Sequence, residues 1–265
     1  MRIGNRTIHL SQIKKKLFPF LKILLNIWKL KHPLSLIGHY LNLTSPHLVQ
    51  FRNGLIVHTS KHPHDLISLF VVFLHKDYGN VKKGDIIVDI GANIGSFSLY
   101  AAQQGASKVY AYEPCEEAYH TLCKNIKSND LESIIIPFNC ALGGNSGKEW
   151  FSIHSSPYNK LHTTNITDSP ELKEIPVITL NTAITTNNIQ HIDILKIDCE
   201  GAEFDIIPSI NQEQLKKIQS ICLEYHNDPK SRIINYLELN RFILEYQEKY
   251  NINVGILRMK KEKID

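Results

Sequence analysis

At 265 residues the chain can hold one sizeable core plus an extension, and its 43% hydrophobic content is ordinary for a globular protein. Charge divides it unevenly: no acidic residue precedes Asp65, while Arg2, Arg6, Lys14, Lys15, Lys16, Lys22, Lys29, Lys31, Arg52 and Lys61 supply +10, so a net +4 leaves −6 for the remainder. The five cysteines are odd in number and form no C-x-x-C, which argues against a disulfide framework and reads as reduced, buried thiols of a cytoplasmic protein.

Along the chain, Ser11 to Leu30 predicts an interrupted helix, with Pro19 in the first turn of its second piece. Lys22, Asn26 and Lys29 form a narrow polar stripe, and Phe20, Leu21, Ile23, Leu24, Leu25, Ile27, Trp28 and Leu30 cover the rest. So large an apolar face must bury, against the body of this protein, a second copy, or an anionic membrane surface to which the lysines add attraction. Lys22 breaks the apolar run and no small-residue cleavage site follows, so no cleavable signal is expected. No stretch reaches the roughly 18 apolar residues of a span. Next, Leu48 to Thr59 predicts a β-hairpin turning at Asn53-Gly54. Residues 1–64 are thus read as a basic extension, and 65–265, opening on a helix over Asp65 to His75, as the main domain.

That domain's first strand, Ile86 to Ile90, runs into a glycine turn at Gly91 and Gly95 and a helix from Phe97. G-x-G-x-x-G aligned on Gly91 would need glycine at 93 and 96; Asn93 and Ser96 stand there, which counts against a dinucleotide. Glycine permits close backbone approach to a ligand, and Asp89 at the strand end suits an ammonium group better than a phosphate. A second strand, Val109 to Tyr112, ends at Glu113, about twenty residues past the turn, where a carboxylate can accept both hydroxyls of a ribose or merely cap the next helix. A third strand over 134–140 would bring Asn139 and Ala141 near an adenine. Asp89, Gly91, Asn93, Gly95, Phe97, Glu113, Asn139 and Ala141 together describe a site for S-adenosylmethionine.

Further on stands Asp193-Ile194-Leu195-Lys196-Ile197-Asp198-Cys199-Glu200-Gly201-Ala202-Glu203. With VDIGANIGSFSLYAA from Val88 and Ala111-Tyr112-Glu113-Pro114, this block resembles the FkbM family of S-adenosylmethionine-dependent methyltransferases, whose hallmark is KIDxEGxE. The resemblance covers about Gly84 to His226. It implies a class I methyltransferase sheet, α/β and Rossmann-like, and methylation of hydroxyl oxygens on sugars, polyketides and related molecules.

Strands near 192–198 and 220–226 complete the parallel core, and Glu149 to His154 and Ile175 to Leu180 read as additional strands. Pro229 to Tyr250 reads as mostly helical, leaving only Ile252 to Met259 for the closing strands that such a sheet needs. Candidate catalytic groups are His226, whose ordinary pKa near ~6.5 lets it accept a proton, with Asp198 and Glu200 as orienters, alternative bases or ligands of a divalent cation; no metal is assigned. Glu203, in a first helical turn, either stabilises the helix dipole or takes part in catalysis; Lys196 either reaches an edge or pairs with a carboxylate; His162 is a weaker candidate on a loop. The expected acceptor is a small-molecule, glycan or lipid-linked hydroxyl. Nucleic acid is disfavoured because the basic arm lacks interleaved aromatics, and peripheral membrane attachment through that arm is the alternative to a freely cytoplasmic enzyme. Two other classes stay open: an NAD-dependent oxidoreductase and a non-catalytic, membrane-associated binding module.

Overall fold

Ile86, Ile87, Val88 and Ile90 are β-branched, apolar and bounded by Gly84 and Gly91, which favours a short strand buried on both faces. In the computed structural model they form β1 (Ile86–Ile90) of a seven-stranded sheet. The residues described are 2–3, 6–7, 27–32, 47–59, 64–75, 78–152, 172–226, 232–250 and 254–262. The chain forms two compact units, Met1–Asp77 and Tyr78–Asp265.

In the larger unit β1 is followed by α1 (Ser96–Gln103), β2 (Lys108–Tyr112), α2 (Glu116–Lys127) and β3 (Ile135–Phe138). Acids Glu116 and Glu117 open α2, and Lys124 and Lys127 close it, each matching the helix dipole. Strands β4 (Ala141–Leu142), β5 (Gly147–Ser152) and β6 (Leu172–Ile178) make a separate small sheet with β6 in the middle. The chain then returns through α3 (Leu180–Thr186), β7 (Ile192–Ile197), α4 (Glu203–Ser209), α5 (Gln212–Lys217) and β8 (Ile218–His226). Thr179 and Asn211 cap α3 and α5 by accepting from the amides of Thr182 and Gln214. Last come α6 (Ile233–Leu239), β9 (Phe242–Lys249) and β10 (Val254–Lys261).

The strand order is β3-β2-β1-β7-β8-β10-β9. The first five strands are parallel, and β10 is antiparallel to both its neighbours. The chain winds outward from β1 to β3 and then crosses to β7 on the other side, so the topological switch point lies between β1 and β7. Ligands of such sheets bind there, beyond the carboxyl ends of the strands. Val88, Ile90, Leu195, Ile197, Ile221 and Leu223 belong to one core cluster, each burial contributing roughly 1.5–3 kcal/mol relative to exposure.

The helical reading of Pro229 to Tyr250 is corrected: among the described residues only Ile233–Leu239 is helix, and Phe242–Lys249 is the missing strand. Arg241, at φ 65°, turns the chain out of the helix, and seven register pairs with β10 override the helical preference of Leu, Gln, Glu and Lys. The sheet therefore has its full class I finish.

In the smaller unit the hairpin pairs Leu48–Gln50 with Ile56–His58, and Gly54 supplies the positive φ that its turn needs. The helix over Asp65 to His75 is α-helical for His64–Leu69 and widens to a π turn over Phe70–His75. The predicted N-terminal helix lies outside the described residues except for a 3₁₀ turn, Ile27–Lys29. Asp65 to His75 groups with the hairpin, since the compact units divide after Asp77.

Candidate active site

Strands β1 and β7 place Asp89 opposite Lys196 in register. Lys196 Nζ lies 3.0 Å from Asp89 Oδ1, both side chains being buried, and Asp89 Oδ2 accepts from Ser98 Oγ at 2.7 Å. The same ammonium donates to the Gly91 carbonyl at 2.7 Å and the Ile90 carbonyl at 3.3 Å, and stands 3.8 Å from Asp198 Oδ2. Burial alone would lower its pKa, but Asp89 and Asp198 more than offset that and raise it. Sequence reasoning matched Asp89 to the ammonium of a ligand; the structure supplies that ammonium from Lys196, because the register brings an acid and a base side by side.

The glycine turn is shaped by the protein itself. Gly91 has φ 73°, and a Cβ there would fall 1.8 Å from the Asp198 carbonyl oxygen; at Gly95, φ 91°, it would fall 2.5 Å from Leu122 Cδ1. The close approach expected toward a ligand is thus made toward the β7 end and α2. The amides of Gly91 and Ala92 both donate to the Tyr112 carbonyl. Asn93 takes a left-handed conformation at φ 51° and its amide donates to Glu113 Oε2 at 2.7 Å. Phe97 is buried within α1, ring to ring with Tyr78 and Tyr100.

Glu113 stands just past β2 and is held twice, with Oε1 accepting from the Cys115 amide at 2.8 Å. Burial pushes its carboxyl up to about 7, against the two amide bonds, which lower it. Asn139 donates to the carbonyls of Glu113 and Pro114, fixing the loop after β3 beside that carboxylate. Ala141 is buried in β4 opposite Val177. A carboxylate has about four acceptor positions, so two remain on Glu113. Asn93 Oδ1 is buried with no hydrogen-bond partner among the described residues. A ligand carrying hydroxyl or amino donors fits both.

On the other side of the switch point, β7 and β8 end in a cluster of acids around one imidazole. His226 Nε2 is 3.3 Å from Glu200 Oε2 and 3.8 Å from Glu224 Oε1, and Nδ1 is 3.4 Å from Glu203 Oε1, a charge contact rather than an aligned hydrogen bond. Glu203 is wholly buried and clamps the loop: Oε1 accepts from the His226 amide at 2.9 Å, and Oε2 from the Gly201 amide at 2.7 Å. Burial works against the imidazolium, but Glu203, Glu200 and Glu224 outweigh it and raise His226 to about 8. Glu224 is pushed up to about 8, by burial first and then by Asp198. Glu200 holds its place in the left-handed region, at φ 52°.

Tyr78 closes this side. Its hydroxyl donates to Asp198 Oδ2 at 2.9 Å, and burial, then Asp198, raises its pKa well above the usual value. Cys199 keeps its thiol proton for the same kind of reason, burial and then Glu203, which removes it as a nucleophile. None of the five cysteines forms a disulfide.

His226, Asp198 and Glu200 are therefore brought together, as are Asn93, Glu113 and Asn139. Tyr78, Glu203 and Glu224 complete the site. Glu203 stood in the hallmark block without a firm role and Glu224 two residues before His226 in the strand near 220–226, whereas Tyr78 precedes every motif and carried no signal. His162 lies outside the described residues. Among the described residues no three of His, Cys, Asp and Glu are disposed to hold a metal ion.

A doubly wound sheet ending in an antiparallel strand, with a glycine turn and an acidic second strand end at its switch point, defines a class I methyltransferase. The Methyltransferase FkbM domain matches residues 89–251. The chain belongs to the FkbM methyltransferase family, and its cofactor is S-adenosylmethionine; that membership displaces the redox reading. It is 25% identical over 178 residues to Methyltransferase sdnD of Sordaria araneosa, covering 56% of this chain and 69% of that protein. To the 31-O-demethyl-FK506 methyltransferase FkbM of Streptomyces tacrolimicus it is 22% identical over 177 residues, covering 56% and 67%. The structure of TrmK from M. capricolum with S-adenosylhomocysteine aligns at a TM-score of 0.46 and 13% identity, covering 71% of this chain and 67% of that one, a likeness too loose to bear on function.

Proposed function

We propose that the chain methylates a hydroxyl oxygen on a neutral, polyhydroxylated acceptor such as a sugar, glycan, lipid headgroup or secondary metabolite. The observation that carries this reading is the imidazole of His226, backed by Glu203 on Nδ1 and presenting Nε2 toward Glu200 and Glu224. When bound, S-adenosylmethionine supplies a methyl group already activated on a sulfonium. The chain has to hold the acceptor, exclude water and take one proton. A base near pKa 8 is well matched to a hydroxyl at neutral to mildly alkaline pH, since base strength and the available neutral fraction are balanced there.

The charge of Glu203 favours a proton on Nδ1, Nε2 receives the acceptor proton, and Asp198 and Glu200 orient the hydroxyl and its neighbours. Glu113, with Gly91, Asn93, Gly95, Asn139 and Ala141 framing it, holds the ribose. The charges of Asp198 and Glu200 would repel a phosphate-rich acceptor, which disfavours nucleic acid. The relative from Streptomyces tacrolimicus carries an O-demethyl substrate in its name, in keeping with oxygen as the atom methylated.

The basic arm favours an acceptor found at a membrane. Eight basic residues precede His32, each worth on the order of 1 kcal/mol near an anionic surface. Among the described residues no helix is long and apolar enough to cross a membrane. The direct test is incubation with methyl-labelled S-adenosylmethionine and separated glycan, lipid, small-molecule, protein and RNA fractions. Label is expected in a glycan, lipid or small-molecule fraction and lost in His226→Ala; label confined to RNA or protein would overturn the reading.

A further inference from the structure

The hallmark lysine has no part in the proton transfer proposed above, yet four oxygens surround its ammonium. Lys196 is 3% exposed, one residue before the end of β7, where an apolar residue would be expected. Compensating Asp89 would need only the contact at 3.0 Å. Its ammonium also spends two donors on the carbonyls of Ile90 and Gly91, the last residue of β1 and the first of the turn. At φ 73° Gly91 has left the sheet geometry, and its carbonyl is turned back toward β7 to meet that ammonium.

The backbone amides from Gly91 onward lead to Glu113. The amides of Gly91 and Ala92 go to Tyr112, and the next, that of Asn93, goes to Glu113 Oε2. The orientation of the ribose-binding carboxylate is thus tied through two peptide units to the carbonyl that Lys196 holds. We propose that Lys196 is a positioning residue of the cofactor site, setting the glycine turn through the Ile90 and Gly91 carbonyls and thereby fixing Glu113. The proposal rests on the reading that Glu113 binds the cofactor ribose, and it gives the lysine of KIDxEGxE a task separate from charge balance.

The two tasks come apart in a pair of variants. Lys196→Met alone leaves Asp89 buried and uncompensated, so a lost fold there would report only the charge. Asp89→Asn with Lys196→Met removes the buried pair and leaves Asp198 its Tyr78 hydroxyl, while the Gly91 carbonyl loses its donor and the Ile90 carbonyl keeps only the Asp198 amide. Calorimetric affinity for S-adenosylhomocysteine and the melting temperature are read for each. The double variant is expected to melt near wild type yet bind at least about tenfold more weakly. Lys196→Arg keeps the buried charge but cannot place one compact ammonium among two carbonyls and a carboxylate; it is expected to lose affinity likewise, and it carries the test if the double variant does not fold. Wild-type affinity in whichever of the two folds would overturn the proposal. If the wild type itself ignores S-adenosylhomocysteine, or binds it equally well as Glu113→Ala, the ribose reading fails instead.

Discussion

At the scale of single residues, the site depends on buried groups that keep their charge or their proton for reasons that can be named. Glu113 is held by two backbone amides, and the two acceptor positions beyond them are those proposed to take a ribose. Glu113→Ala should weaken S-adenosylhomocysteine by roughly 2–4 kcal/mol, about 30- to 1000-fold, by calorimetry. His226→Ala should lower the methylation rate by about 10²–10⁴ with cofactor affinity intact. Because Glu224 and His226 face one another and both stand near 8, the rate should rise with pH and level off above about 8, the midpoint belonging to the pair. The same imidazole marks stability. Its folded pKa lies above its unfolded 6.5, so its contribution is fully present below pH 6.5 and is lost as pH rises through 8. The melting difference between wild type and His226→Gln should therefore be widest below pH 6.5 and shrink above pH 8. A gap that widens with pH would mean that the surrounding carboxylates do not govern the ring.

At the scale of elements, the junction between β1 and β7 is where sequence and packing constrain one another most tightly. Gly91→Ala would drive a Cβ to 1.8 Å from a backbone oxygen that cannot yield, besides straining φ. It should cost more than about 3 kcal/mol in denaturant unfolding of the full chain. Gly54→Ala strains only φ, with no atom within 4 Å of the added carbon, and should cost about 1 kcal/mol. Equal losses at the two positions would contradict the packing account.

The same contrast separates what was legible in the sequence from what was not. The β-branched run at Ile86 to Ile90 and the acid at Glu113 are local signals, and they sufficed for the sheet and its switch point. The partner of Asp89 depends on the register between strands more than a hundred residues apart, which no local pattern encodes. Strand β9 was hidden because Leu244, Glu245, Gln247 and Lys249 have helical propensities, and only pairing with β10 decides against them. Tyr78 was invisible for the same reason: its meaning lies in a hydrogen bond across 120 residues.

At the scale of the whole molecule, the charge asymmetry is the feature that a catalytic domain alone does not explain. If the arm holds the enzyme near a membrane-borne acceptor, the full chain should co-sediment with anionic vesicles at low salt, lose that attachment on deletion of residues 1–40, and remain folded after the deletion. A truncated chain that cannot fold would show that the apolar face is already covered within the protein. The central claim, transfer to oxygen, is tested most directly by the bond that forms. Incubation of the enzyme and the fraction that takes up label with ¹³C-methyl S-adenosylmethionine, followed by carbon NMR of the purified product, distinguishes a methyl ether from a methylated nitrogen. Transfer to oxygen predicts a methyl ether carbon, absent from the His226→Ala reaction. A methylated amine or base, formed equally well by that variant, would contradict it.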